Sequence, residues 1–520
     1  MTDPCTLTAS AMRGAMERGA LSSAELVEAH LSRISRHDGA IKAFTRVFAE
    51  TARADARRLD DERRGGVVRG PLHGVPVSVK ECFDLEGLAT TAGIPNRGGH
   101  RATRDAAMIT LLREAGAVIL GRTNLSQTML FSESRNPIFG QTANPFSLAH
   151  SPGGSSGGEA AAVASGMSPL GLGTDIGGSI RSPAAVTGVF GIKPTLDRLP
   201  TTGQYGVLKG QEGIRSVPGP LARSTEDLWL FLSALDPARM SALDPRVPPL
   251  PWVDPVGVEV PRLRVGYYAH DGVLAPSAAV ERAVETAAGA LDKLGCAVTI
   301  FTPPDVPSLF DDYLGALSAD GGETIRDALG HDPADPSLKP LLALAMVPDA
   351  GRLALAKVAG AVGQSRAQRL LDAVGARTVA DYWKLIDRIR SYRARLLDAM
   401  DAVGVDVVLC PGFATPALPH GMSKNFTAAA TPALLWNAVQ FPAGVVPVTK
   451  VRAEETTRAL ARDMVERHAA KVDAESAGLP VGVQVVARPW QESRVLAVMS
   501  ALEGALRGSD DYPVTPVTPG

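Results

Sequence analysis

The sequence contains the run Ser151-Pro-Gly-Gly-Ser-Ser-Gly-Gly158, and a second run of small residues, Gly173-Thr-Asp-Ile-Gly-Gly-Ser179-Ile-Arg181, follows it closely. Upstream, Lys80 ends the apolar segment Gly74-Val-Pro-Val-Ser-Val-Lys80. Two hydroxyl groups on glycine-supported backbone, with a lysine in apolar surroundings, supply what an acyl-transfer site needs when it lacks a histidine base. The pattern predicts that Ser179 is the nucleophile, that Lys80 is the base and that Ser155 relays the proton.

The backbone leading to Ser179 is predicted to bind an oxyanion. Because Gly177 and Gly178 precede the serine, this stretch can adopt conformations that other residues avoid. The consecutive N–H groups from Ile176 to Ser179 can then point toward one spot, as in an anion-binding nest.

Lys80 could also be an ordinary surface lysine. The flanking Val75, Val77 and Val79 and the following Cys82 argue against exposure, because lysine is rarely buried without a partner or a purpose. Desolvation lowers the pKa of a lysine and so raises the neutral fraction that can accept a proton. The segment therefore favours a functional role.

These residues and their spacing resemble the amidase signature family, with Lys80, Ser155 and Ser179 matching its Ser-Ser-Lys triad. The intervals, 155 − 80 = 75 and 179 − 155 = 24 residues, are similar to those of its fatty acid amide hydrolase branch. The resemblance implies that a cis peptide bond holds Ser155, that the carbonyl of Met129 helps to orient the site, and that no metal or organic cofactor is needed.

The resemblance covers nearly the whole chain. The further matching runs are Gly121-Arg-Thr-Asn-Leu-Ser-Gln-Thr-Met129, Gly140-Gln-Thr-Ala-Asn-Pro145, Gly188-Val-Phe-Gly-Ile-Lys-Pro194, Trp436-Asn-Ala-Val-Gln-Phe-Pro-Ala-Gly-Val-Val-Pro-Val448 and Leu479-Pro-Val-Gly-Val-Gln-Val-Val486.

Four residues beside the predicted triad are expected to support it. Thr174, Asp175 and Arg181 would hold the nucleophile loop by hydrogen bonds, although such residues also occur simply in turns and on surfaces. Ser156 is expected to be a supporting hydroxyl and not a further catalytic group.

Other sites built from serine, lysine and glycine fit less well. Gly153-Gly-Ser155-Ser-Gly157 satisfies the nucleophile-elbow pattern, but that pattern needs a preceding strand, and the segment 144–152 is loop-like. The later histidines, His270, His331, His420 and His468, carry no supporting motif. No G-K-[ST] follows the glycines, which excludes a phosphate loop, and no lysine has serine three residues before it.

An α/β fold is predicted, because strand and helix patterns alternate along the chain. The resemblance implies the amidase signature fold, in which a central, mixed, twisted β-sheet is covered by helices on both faces and a helical lid is added. Ser22-Ser-Ala-Glu25 is a capping box that begins a helix ending near Gly39, and residues 74–80 read as a buried strand. A helix over 108–115, a strand over 117–120 and a strand over 263–267 are also predicted.

Residues 1–520 are expected to form one domain with two lobes, 1–248 and 256–520. The proline-rich connector 249–255 cannot hold a helix or a central strand. The apolar, alanine-rich segment 341–375 is expected to form the lid, and residues 509–520 a frayed tail.

Composition excludes several classes of function. A net charge of −2 leaves no basic surplus for a nucleic-acid partner. The four cysteines are scattered and lack the spacing of a disulfide framework or a zinc site, so a reducing cytoplasm is expected. No signal peptide and no segment long enough to span a membrane are recognised.

The resemblance implies a hydrolase of fatty-acyl or aryl amides, and of esters, with a small-molecule substrate. The glutaminase subunit of a tRNA-dependent amidotransferase and a hydrolase of small amides or carbamates remain alternatives. A purely binding role would require loss of a triad member, and all three are present. A homodimer is left open, and at most weak peripheral membrane contact is expected, because charged residues interrupt the lid.

Overall fold

The chain is described over residues 3–458 and 462–519 in a computed structural model. Its strands are β1 (Phe44–Val47), β2 (Pro76–Lys80), β3 (Val118–Thr123), β4 (Arg135–Asn136), β5 (Gly140–Gln141), β6 (Leu170–Asp175), β7 (Phe190–Lys193), β8 (Val217–Ala222), β9 (Arg264–Tyr267), β10 (Ala297–Ile300), β11 (Val407–Pro411), β12 (Ala443–Lys450) and β13 (Pro480–Ala487).

The helices of the same residues are α1 (Ala9–Glu17), α2 (Ser23–Ile41), α3 (Ala49–Arg64), α4 (Ala107–Glu114), α5 (Gly157–Ala164), α6 (Arg181–Thr187), α7 (Thr225–Ser233), α8 (Pro237–Leu243), α9 (Ala278–Lys293), α10 (Val306–Leu317), α11 (Glu323–Leu329), α12 (Lys339–Ala345), α13 (Asp349–Ala361), α14 (Ser365–Ala373), α15 (Val379–Val403), α16 (Thr431–Ala438), α17 (Met464–Ala474) and α18 (Glu492–Leu506).

Eleven strands form one mixed sheet in the order β1-β3-β2-β6-β8-β7-β12-β13-β11-β9-β10. Parallel pairs lie toward both edges, as in β2 with β3 and β9 with β10, and the middle of the sheet is antiparallel. β6 and β13 are buried at every residue, which requires packing on both faces of the sheet. The predicted α/β fold is confirmed.

The two predicted lobes correspond to the two halves of this sheet. Strands β1 to β3 and β6 to β8 of the sheet come from the first lobe and β9 to β13 from the second. They join where β7 and β12 pair antiparallel, with Ile192 opposite Gly444. Because hydrogen bonding is unbroken across this junction, we retain the expectation that residues 1–520 form one domain.

Local sequence signals placed several elements well. The capping box is present, because Ser22 accepts from the Glu25 N–H and the Glu25 carboxylate accepts from the Ser22 N–H. The predicted strand ending at Lys80 is β2, and the predicted helix and strand that follow are α4 and β3. The proline-rich connector forms no helix or strand.

Two local predictions differ from the structure. The first long helix continues to Ile41, two residues beyond the predicted Gly39, and ends with Lys42 in the left-handed region. The predicted frayed tail is wrong for its middle part, since Tyr512 is buried and the Val517 N–H donates to the Ala164 carbonyl at 2.9 Å. Apolar side chains in the tail pack against the body of the protein, which the proline content concealed.

The predicted lid, 341–375, consists of the end of α12 and the helices α13 and α14. It combines apolar residues that face solvent, such as Met346, Val358 and Val362, with a buried Arg352 that donates to the Leu371 carbonyl. None of the described helices is long and apolar enough to cross a bilayer.

We expect Ile192→Ala to lower the free energy of unfolding of the whole protein by about 2–5 kcal/mol, because Ile192 is fully buried at the junction of the two halves. Ile300→Ala is the matched control, since Ile300 lies on the edge strand β10 and is 70% exposed. Urea unfolding followed by far-UV circular dichroism and tryptophan fluorescence measures both. Two separate transitions, with only one shifted, would contradict a single cooperative domain.

Candidate active site

Lys80 is the last residue of β2, and its side chain is fully buried. Its Nζ lies 2.7 Å from Ser155 Oγ, 2.9 Å from Ser156 Oγ and 2.8 Å from Thr174 Oγ1. Three hydroxyl groups therefore surround the amine, and two of them belong to residues predicted to support the site.

Burial lowers the pKa of Lys80 to about 8, because the apolar surroundings disfavour the ammonium form. Glu159 lies on α5 nearby, and burial raises its pKa to about 8. Its carboxyl group accepts from Ser78 Oγ at 2.5 Å and Thr123 Oγ1 at 2.6 Å. The neutral form of Lys80 is thus accessible near neutral pH.

A second buried lysine, Lys193, lies at the end of β7. Burial lowers its pKa to about 7, and the positive charge of Arg181 acts in the same direction. The hydrogen bond of its ammonium group goes to the Pro194 carbonyl at 3.0 Å. Within the described residues, Lys80 is therefore the buried lysine that contacts serine hydroxyls.

Ser155 lies in the loop before α5, and the Gly154–Ser155 peptide is cis. Ser156 joins this loop to the second run, because its N–H donates to the Ser179 carbonyl at 3.1 Å and its hydroxyl donates to the Thr174 carbonyl at 3.1 Å. Glycine at position 173 of β6 leaves room for this hydroxyl, because a Cβ there would lie 3.0 Å from Ser156 Oγ.

Ser179 follows β6 on a loop that Asp175 organises. The Asp175 carboxylate accepts from the Gly178 N–H at 2.8 Å and from the Ile180 N–H at 3.1 Å. Although burial opposes ionisation, the ion pair with Arg181 at 3.0 Å holds the pKa of Asp175 well below its usual range. The predicted support of the loop by Asp175 and Arg181 agrees with these contacts.

The expected oxyanion-binding backbone needs one correction. The Gly178 N–H is already bonded to Asp175, so it is not free as an oxyanion donor. The N–H groups of Ile176, Gly177 and Ser179 have no acceptor among the described residues. With a φ of 102°, Gly178 instead supplies the left-handed conformation that turns the loop.

Tyr313 on α10 is a site residue that the sequence analysis missed. Its hydroxyl donates to the Ile176 carbonyl at 3.0 Å, and burial raises the pKa of Tyr313, so the phenol stays protonated. A Cβ at Gly177 would lie 2.6 Å from this hydroxyl. Glycine is therefore required where the tyrosine packs on the loop.

Asn437 and Gln484 connect the loop to the second half of the sheet. Arg181 donates to Asn437 Oδ1 at 2.6 Å and to Gln484 Oε1, while Asn437 Nδ2 donates to Asp175 Oδ1 at 3.0 Å. Both residues lie in runs that carried the family resemblance, but nothing in those runs indicated this contact.

Ser179 opens onto an apolar cavity of about 530 Å³. Met129, Leu130 and Phe131 line one side, and Tyr313 and the lid line another. Met129 has a φ of 63°, in the left-handed region that non-glycine residues rarely adopt, and such residues cluster at functional sites.

A second cavity, of about 260 Å³, also reaches Ser179, and Ser155 and Thr174 line it. No histidine of the described chain lines either cavity, so the nucleophile-elbow alternative gains no support. Nor is any group of three or more His, Cys, Asp or Glu in residues 3–458 and 462–519 arranged to hold a metal ion.

Comparison with known sequences identifies related enzymes. Fatty-acid amide hydrolase 1 of Sus scrofa is 39% identical over 449 residues, covering 84% of this chain and 76% of that protein. Fatty acid amide hydrolase 1 of Caenorhabditis elegans is 32% identical over 504 residues, 96% of this chain and 88% of that protein. An acetamidase of Aspergillus oryzae is 32% identical over 499 residues, covering 93% of this chain and 86% of that protein.

Among solved structures, a fatty acid amide hydrolase superposes with a TM-score of 0.85 at 27% identity, covering 98% of this chain and 87% of that one. The family described as Amidase matches residues 25–496. The chain therefore belongs to the amidase family of amide-hydrolysing enzymes, and it is similar in sequence and fold to the fatty acid amide hydrolases.

Proposed function

We propose that the protein hydrolyses amides, and related esters, of apolar fatty-acyl or aryl acids through an acyl-enzyme on Ser179. The observation that carries this proposal is the hydrogen bond of 2.7 Å between Lys80 Nζ and Ser155 Oγ, beside a serine that opens onto a large apolar cavity. No metal or organic cofactor takes part in the proposed reaction.

The contacts of Lys80 favour a role as the base that accepts the proton of Ser155. A neutral amine has two N–H donors and one lone pair. If the donors are used on Ser156 Oγ and Thr174 Oγ1, the lone pair faces the hydroxyl of Ser155. Ser156 Oγ is suited to accept, because its own proton is donated to the Thr174 carbonyl.

Acylation then proceeds in two steps. Lys80 takes a proton from Ser155 as Ser155 takes one from Ser179, whose Oγ bonds to the substrate carbonyl carbon while the C=O electron pair moves to oxygen. The free N–H groups of Ile176, Gly177 and Ser179 stabilise that oxyanion. The C–N bond breaks as the leaving nitrogen takes the proton of Ser155, which Lys80 replaces.

Water completes the cycle by the reverse relay. Its proton passes through Ser155 to Lys80 as its oxygen attacks the ester carbonyl, and the Ser179 Oγ–acyl bond breaks with return of the proton to Ser179. Carboxylic acid and amine, or ammonia, are the products.

The similarity to an acetamidase keeps hydrolysis of small amides as a second candidate. The cavity volume favours larger acyl groups, because each buried methylene contributes up to about 0.8 kcal/mol. We also propose that the enzyme acts without a second subunit and lies in the cytoplasm. Its contact with membranes is at most peripheral, through the exposed apolar residues of α13. A mass measurement in solution tests whether the protein is a homodimer. Co-purification of a second subunit would indicate the glutaminase-subunit role.

We expect Ser179→Ala to abolish acyl-enzyme formation and labelling by a fluorophosphonate probe without lowering thermal stability by more than a few degrees, because the hydroxyl contributes little packing. Intact-protein mass spectrometry after probe treatment measures labelling. Ser132→Ala is the control, since Ser132 lines the same cavity. A probe adduct mapped to Ser155, or retained in the Ser179→Ala protein, contradicts the assigned nucleophile.

We expect Lys80→Ala to lower kcat/KM for an amide by about 10²–10⁴, and that for a matched ester much less, because an amine must be protonated to leave. Lys471→Ala, on the exposed face of α17, should change neither rate. Equal losses on amide and ester would reject the proton relay to the leaving group.

The native enzyme should become more active as pH rises through about 8, since only neutral Lys80 is a base and burial lowers its pKa to about 8. The profile of kcat/KM between pH 6 and 10 measures this inflection. A profile that is flat or falls with pH contradicts the role of Lys80.

We expect medium and long acyl amides to exceed acetamide in kcat/KM, with an optimum where the chain fills the cavity. Ile325→Trp, which reduces the volume of the cavity, should move the optimum to shorter acyl chains. Ile300→Trp, on the exposed edge strand, should not. A series of amides with one amine and acyl groups of two to eighteen carbons tests this. Values that fall from two to ten carbons would favour the small-amide candidate.

A further inference from the structure

The second cavity differs from the first in chemistry but reaches the same serine. It shares Met129, Leu130, Ile176, Ser179 and Leu208 with the acyl cavity, so the two meet at the nucleophile. Its other walls are formed by Thr128, Ser155, Thr174, Thr201 and the segments 204–212 and 214–216, which carry several polar and charged side chains. A substrate that places its acyl chain in the apolar cavity directs its other substituent here.

The position of Ser155 indicates that the substituent in the second cavity is the leaving amine. Ser155 lines the second cavity and does not line the first. In the proposed reaction Ser155 delivers the proton to the leaving nitrogen, so that nitrogen must lie on its side of Ser179. This step rests on the proposed function.

Two of the three charged residues that line this cavity form ion pairs with residues outside its lining. Arg215 donates to both carboxylate oxygens of Asp197, at 2.8 and 2.6 Å. Glu212 accepts two hydrogen bonds from Arg246, each of 3.0 Å. These pairs leave the lining of the cavity without a free carboxylate to bind a cation.

Lys209 is different. It lines the cavity, is exposed to solvent, and pairs with no carboxylate among residues 3–458 and 462–519; its ammonium group lies 5.6 Å from the centre of the Tyr205 ring. On the same ring, the Arg97 guanidinium lies at 3.6 Å. Lys209 therefore brings to the cavity a positive charge that no carboxylate of the described residues neutralises.

Two glycines lie in the segment that carries Lys209. Gly206 and Gly210 flank Lys209, and at neither position does a Cβ meet another atom within 4 Å. The far end of the segment is held, because Gln211 donates to the Ile214 carbonyl at 2.6 Å and accepts from the Ile214 N–H at 2.8 Å. Lys209 thus lies in a short loop segment that lines the cavity.

We propose that the second cavity selects leaving amines that carry a carboxylate, so that N-acyl amino acids are preferred substrates, with Lys209 as the residue that binds the carboxylate. A volume of about 260 Å³ suits a small amino acid. Because Lys209 is exposed, its contribution is that of an exposed ion pair, which corresponds to a change on the order of five-fold in kcat/KM.

Three substrates with one acyl chain and leaving amines of similar size test this proposal: N-decanoylglycine, N-decanoylethanolamine and N-decanoylethylenediamine, which are anionic, neutral and cationic at pH 7. We expect Lys209→Gln to lower the ratio of kcat/KM for the glycine conjugate to that for the ethanolamine conjugate by about five-fold. Lys209→Glu should lower it further and raise relative activity on the cationic conjugate. Raising the salt concentration should reduce the anion preference of the native enzyme.

Lys471→Gln is the matched control, an exposed lysine outside both cavities, and should leave all ratios unchanged. Equal losses on all three substrates in both Lys209 variants, or unchanged ratios in Lys209→Glu, would overturn the proposal while leaving the amidase reaction intact. If no conjugate is hydrolysed but Ser179 is still labelled by a fluorophosphonate, the selection of acidic amines is wrong and the nucleophile stands. Absence of labelling as well overturns the proposed function itself.

Discussion

The ion pair between Asp175 and Arg181, in which both side chains are fully buried, is the interaction on which the site depends. A buried pair is stable only when its remaining donors and acceptors are satisfied. Asp175 uses its oxygens on the backbone of the nucleophile loop, and Arg181 uses its remaining N–H groups on Asn437 and Gln484. One charge pair therefore fixes the shape of the loop and also ties the two halves of the sheet together.

That arrangement explains why the loop can hold free N–H groups next to Ser179 without collapsing. An unpaired buried donor costs free energy, so the loop would otherwise rearrange to satisfy it. The Asp175 carboxylate accepts hydrogen bonds from the N–H groups of Gly178 and Ile180. The hydroxyl of Tyr313 donates to the Ile176 carbonyl. In the proposed reaction, these N–H groups are held in place for a charge that develops only during the reaction, as electrostatic preorganisation requires.

The sequence was sufficient for features that depend on neighbours along the chain. The capping box at Ser22, the buried strand ending at Lys80 and the glycine-dependent turn at Gly178 each follow from residues within a few positions. Tyr313 and Gln484 could not be found in this way, because they reach the loop from 137 and 303 residues away in sequence. The burial of Tyr512 was missed for the same reason, since its packing partners lie elsewhere in the chain.

The loss of Gly178 as an oxyanion donor shows the limit of reading function from a glycine run. The run guarantees backbone freedom, but the acceptor that fixes each N–H group is set by the fold, and here Asp175 takes one of the four. The same reasoning separates the two cavities. The lid 341–375 lines only the first cavity, whereas residues 209–212 and 214–216 line only the second, and the two cavities meet at Ser179. Since different segments form the walls of the two cavities, the proposed function implies that acyl preference and amine preference can change independently while the loop at Ser179 stays fixed.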